Sequence, residues 1–88
     1  MAIEFPNLSR RYDTTRRCVR FSGYDGALER PFFIEEGALW KLDAMARKSG
    51  VALLAVFDRH RDQICAVATR LYGRRQEGSY TLTPADFS

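Results

Sequence analysis

The chain has 88 residues and a mass of 10.1 kDa, which suits a single domain spanning 1–88 with a small core. Leu, Ile, Val and Phe supply 21 residues, above the ~20% level at which disorder becomes the default. The formal charge of +3 comes from 12 arginines against two lysines, and these figures exclude a multidomain enzyme, a disordered tail and a disulfide scaffold without naming an activity.

Ile3 and Phe5 flank Glu4 in a short alternation that predicts a first strand, ended by Pro6-Asn7. Ser9 to Thr15 is polar, with Asp13-Thr14-Thr15 as a turn signal. Arg17 to Tyr24 alternates more clearly, Val19 and Phe21 on one face and Cys18, Arg20 and Ser22 on the other. Asp25-Gly26 predicts a hairpin turn into a strand over Ala27 to Ile34. Pro31 lacks an N–H, so it predicts an edge position or a bulge there.

Glu35 and Glu36 suit the positive start of a helix. Ala38, Leu39, Leu42, Met45 and Ala46 form its apolar stripe, and Ser49-Gly50 ends it. A longer helix is expected over Val51 to Tyr72, lined by Leu53, Phe57, Ile64, Ala68 and Leu71 and closed near Gly73. Ser79 to Leu82 alternates as a last strand, and Thr83-Pro84 marks another helix start. The expected fold is α+β: a small antiparallel sheet of about four strands, order β-β-β-α-α-β, with two helices packed on one face.

Ser9-Arg10-Arg11-Tyr12-Asp13, then Arg16 to Phe21 with Gly23, resemble the opening of a bacterial family known as domain of unknown function 1488. Phe32-Phe33-Ile34-Glu35, Phe57-Asp58 with Arg61 and Ile64, Ala68, Tyr72, and Gly78-Ser79-Tyr80 with Leu82, Asp86 and Phe87 extend the resemblance over nearly the whole chain. It implies a small cytoplasmic proteobacterial protein of compact α+β fold. It implies no activity, substrate or cofactor, so no functional residue is carried over.

The N-terminus has no positive start followed by an apolar run, so no signal peptide is expected. The longest apolar run, Val51 to Phe57, falls far short of the ~20 residues a spanning helix needs. A cytoplasmic location with no membrane partner follows as the expectation. Cys18 and Cys65 are then expected as thiols, and no cysteine and histidine sit at zinc spacing, so no cofactor is expected.

Arginines are the main candidate binding residues. Arg10, Arg11, Arg16, Arg17 and Arg20, offset by Asp13, carry +4, and Arg70, Arg74 and Arg75 add +3. Guanidinium forks onto phosphate oxygens, and Tyr12, Phe21 and Tyr24 lie close in sequence, a combination suited to nucleic acid. The plainer reading is a solvated basic face, and no recognised nucleic-acid motif accompanies it. Cys18 lies near Arg16, Arg17 and Arg20, whose charges would favour a thiolate; a passive half-buried thiol is the plainer reading. His60 borders the apolar stripe as a packed residue, and Asp58 and Asp62 suit surface ion pairs better than acid–base work. Trp40 and Phe33 fall off the main apolar faces and are candidate interface residues for a homodimer. The function expected is a non-enzymatic binding or interaction module. Nucleic-acid binding through the arginines is the first alternative, and a thiol-dependent protein using Cys18 the second.

Overall fold

The computed structural model describes residues 3–74 and 78–87. Strands β1 (Arg10–Asp13), β2 (Cys18–Asp25) and β3 (Leu28–Glu35) lead into helices α1 (Glu36–Leu42), α2 (Ala44–Lys48), α3 (Leu53–Arg59) and α4 (Arg61–Arg74). Strand β4 (Tyr80–Leu82) and a 3-10 helix (Pro84–Phe87) follow. The sheet order is β1-β2-β3-β4.

The hairpin forms as the alternation predicts. Gly26 takes φ +63° in its turn, a conformation that favours glycine. Pro31 pairs with Ser22 of β2, while β4 pairs only with Phe32, Phe33 and Ile34. The proline thus lies just outside the part of β3 that needs ladder bonds on both sides.

Three expectations are corrected. The sheet is mixed, because β4 runs parallel to β3. Alternation reports which side chains share a face and carries no information about strand direction. The intervening helices form the long crossover that a parallel neighbour requires.

The second correction concerns the helices: among the described residues there are four α-helices rather than two. The first expected helix breaks at Asp43, with φ −146° and ψ 74°, where the side chain accepts from Ala46 N–H and caps α2. The apolar spacing runs on across the break, but the change of phase leaves Met45 70% exposed while Ala46 is buried. The second breaks at His60, whose N–H donates to the Val56 and Phe57 carbonyls.

The third concerns the first strand. Ile3 to Phe5 makes a single bridge, Glu4 to Tyr24, and the polar run at Arg10 supplies β1. Arg10 opposes Phe21, six residues beyond Glu4, yet Phe21 lies only three from Tyr24. Three extra residues therefore loop out between the bridge and β1, an irregular bulge at the sheet margin.

One sheet face carries Val19, Phe21, Phe32, Ile34, Tyr80 and Leu82. Buried residues from all four helices join that cluster: Leu39, Ala46, Val56, Phe57, Ile64 and Leu71 among them. Its centre is aromatic, with Phe32 5.5 Å from Phe21, 5.4 Å from Phe5 and 5.1 Å from Tyr80. Such offset and edge contacts add to the burial of the rings. Gly23 lies on this face, where a Cβ would meet Phe5 Cε2 at 2.7 Å and Ile3 Cδ1 at 2.9 Å. Glycine is what lets the N-terminal segment dock there.

Candidate functional site

Strand parity sorts the arginines. Arg10 and Tyr12 share the helix side with Phe21 and Val19, while Arg11 and Asp13 join Arg20 and Cys18 on the outer face. Arg10 forks onto Asp58 of α3, with Nε 2.8 Å from Oδ1 and Nη2 2.7 Å from Oδ2. This hydrogen bonding holds the Asp58 carboxyl below its usual range and raises the Arg10 guanidinium. Arg10 thus ties β1 to the helical layer.

Arg11 and Arg20 stand directly opposite each other across β1 and β2. Like charges in that relation destabilise a sheet unless an anion joins them. Beside them lies a recess of about 320 Å³, lined by Ser9, Arg10, Arg11, Arg20, Phe21 and Ser22. The looped-out segment supplies Ser9 at its margin. Ser22 Oγ donates to Glu29 at 2.6 Å.

The other arginines go elsewhere. Arg16 lays its guanidinium 3.8 Å from the centroid of Phe33, and Arg20 reaches the same ring at 5.8 Å. Phe33 is 5% exposed under them, on the outer face. Arg17 has φ +52° and points to Glu36 at 3.6 Å, mostly in solvent. Arg70 donates to the Asp86 carbonyl at 3.1 Å, and Arg74 is exposed at the end of α4. Since α4 packs on the helix side, Arg70 and Arg74 do not share the outer face with Arg11, Arg16 and Arg20. Arg75 lies outside the described residues. Trp40 is half-buried against the core, with the Arg47 guanidinium 5.9 Å from its ring.

Cys18 is buried between Asp13 of β1 and Glu35 of β3. Burial pushes its thiol up, Asp13 adds to this, and Arg16 only partly opposes it. The balance is opposite in sign to the one the neighbouring arginines suggest. Burial likewise raises the Cys65 thiol. Asp58 is taken by Arg10, and His60 Nε2 lies 3.1 Å from Asp43, which also accepts from Arg59 at 2.9 Å. Asp43 therefore joins the two helix breaks, and the hydrogen bond from His60 leads those that hold its carboxyl below the usual range. Among the described residues, no group of three or more His, Cys, Asp or Glu is placed to hold a metal, and no helix is long and apolar enough to cross a membrane.

The sequence points to Arg10, Arg11 and Arg20 but not to Ser9, Ser22 or the neighbouring Asp13. Only the β1–β2 register brings these together, and a charged strand beside a bulge leaves little periodic trace.

The family model described as "Protein of unknown function (DUF1488)" matches residues 3–83. The chain belongs to the DUF1488 family. A crystal structure at 1.60 Å of a DUF1488 protein from Shewanella loihica PV-4, also of unknown function, superposes with a TM-score of 0.73. It is 17% identical, over 92% of this chain and 91% of that one, a likeness that shows the shared fold. The search of the curated proteins finds no match. The chain is thus a small bacterial DUF1488 protein, and the arrangement of its own residues is what bears on its function.

Proposed function

We propose that this DUF1488 protein is a non-enzymatic binding module whose working surface is the Arg11–Arg20 pair and its recess. The ligand is a carboxylate-bearing segment of a protein partner. The observation behind the proposal is the direct opposition of two arginines across β1 and β2, beside an open recess. Two arginines at opposed positions of neighbouring strands can both turn to one or two carboxylates, and an incoming anion removes their mutual repulsion.

A compact acidic group fits better than a nucleic-acid strand. Strand binding calls for a basic track with bases stacked on open aromatic faces. Here Arg11, Arg20 and Arg16 form a short cluster rather than a track, Phe33 is covered by Arg16, and Asp13 and Glu35 lie two residues along the same face. The buried, upward-shifted Cys18 thiol lends no support to thiolate chemistry.

The test is an amide-shift titration of dilute isotope-labelled protein. The probes are a short oligo-glutamate peptide, inorganic phosphate and a single-stranded oligonucleotide. Oligo-glutamate is expected to shift Arg11, Arg20 and Ser22, and Arg20→Glu is expected to abolish the effect. Shifts confined to α4, or a response to the oligonucleotide alone that weakens steeply with salt, would overturn the proposal.

A further inference from the structure

Two rows of side chains cross the outer face and run out at the β1 edge. Register places Phe33, Arg20 and Arg11 in one row and Glu35, Cys18 and Asp13 in the other. The first is basic and ends in exposed Arg11; the second is acidic and ends in Asp13. Asp13 Oδ1 accepts from the Arg16 N–H at 3.0 Å, which fixes the direction of the carboxylate. β1 lies at the sheet edge, so its outer backbone groups face whatever stands beside it.

We propose that a second copy of this chain adds its own β1 here, antiparallel, about a two-fold axis through Tyr12. The proposal rests on reading Arg11 and Arg20 as a carboxylate receptor, and it names Asp13 of the second copy as the carboxylate. A two-fold axis normal to the sheet makes every contact reciprocal and keeps paired residues on one face. With Tyr12 opposite Tyr12, Arg11 of each copy faces Asp13 of the other. The basic row of one copy then continues into the acidic row of its partner, and the reverse. A shift to either neighbouring register on the same face sets Arg11 against Arg11 or Asp13 against Asp13. Charge therefore selects the Tyr12 register over both alternatives. A four-residue edge makes a small interface, so the dimer dissociates on dilution.

Sedimentation equilibrium from roughly 10 µM to roughly 1 mM at low salt tests this. The samples are the full chain, Arg11→Asp, Asp13→Arg and an equimolar mixture of the two variants. The unaltered chain is expected to dimerise as concentration rises. Each variant alone faces like charge with like and is expected to be at least tenfold weaker. The mixture pairs Asp with Arg at both contacts and is expected to recover a one-to-one heterodimer, which also shows that both variants fold. A chain monomeric throughout, a variant that dimerises as well as the unaltered chain, or a mixture that stays monomeric overturns the proposal. A monomeric chain that still binds oligo-glutamate through Arg20 defeats the second copy alone. Loss of that binding as well defeats the receptor reading too.

Discussion

Gly23→Ala tests whether the N-terminal segment is docked as described. The new Cβ would stand 2.7 Å from Phe5 Cε2, 2.9 Å from Ile3 Cδ1 and 3.0 Å from Ile3 Cγ1. Carbon atoms in contact prefer about 3.5–4.0 Å, so the segment must retreat by about 1 Å. Replacing a strand glycine ordinarily gains about 0.5–1 kcal/mol through the unfolded chain. Overpacking a filled core site costs about 1–3 kcal/mol, and here it is the larger effect because two side chains are struck together. In a domain of this size each kcal/mol moves the midpoint by roughly 4–8 °C. Thermal unfolding followed by circular dichroism is expected to show that fall. Amide exchange is expected to quicken at Glu4 and Tyr24, which exchange hydrogen bonds of 2.9 and 2.8 Å. Phe5→Leu removes the nearest ring atoms, so the double variant should lose less than the sum of the single losses. A Gly23→Ala protein that melts at or above the unaltered temperature, or strict additivity with Phe5→Leu, refutes the packing.

Arg17 sits at φ +52° and reaches Glu36 only at 3.6 Å from a side chain that is itself mostly in solvent, so Arg17→Gly should raise the midpoint by a few degrees, about 0.5 kcal/mol; a fall would show that the ion pair outweighs the strain. The Asp43 carboxyl is held below its usual range by His60, the Ala46 N–H and Arg59, so its stabilisation is present above its unfolded value of about 3.9 and lost as pH falls through the lower folded value. Asp43→Ala should therefore melt lower at neutral pH and lose less on acidification below about pH 4 than the unaltered chain, in midpoints recorded from neutral to strongly acid pH. Cys18 should label with a disulfide reagent more slowly than half-buried Cys65, and rapidly only in denaturant; equal native rates would contradict its burial.

The hairpin and the last strand are legible because alternation and turn chemistry are local. β2 and β3 fall within a residue or so of the expected spans, and Asp25-Gly26 sits at the turn. β1 is hidden because Arg10 becomes a helix-side residue only once Asp58 of α3 neutralises it. The breaks at Asp43 and His60 escape because the apolar spacing carries on past each. The direction of β4 depends on where four helices return the chain. The arginines of the site are plain in the sequence, but their grouping is not. Arg10 and Arg11 are adjacent yet face opposite layers, whereas Arg11 and Arg20 meet only through the register.

Thermal shift of dilute protein at low salt, for the unaltered chain and Arg20→Gln with and without oligo-glutamate, tests the receptor most directly. Removing one of two opposed cations should stabilise the free protein, whereas the peptide should stabilise only the unaltered chain, which binds it when folded. An Arg20→Gln protein that melts lower than the unaltered chain and gains as much from the peptide would contradict the account.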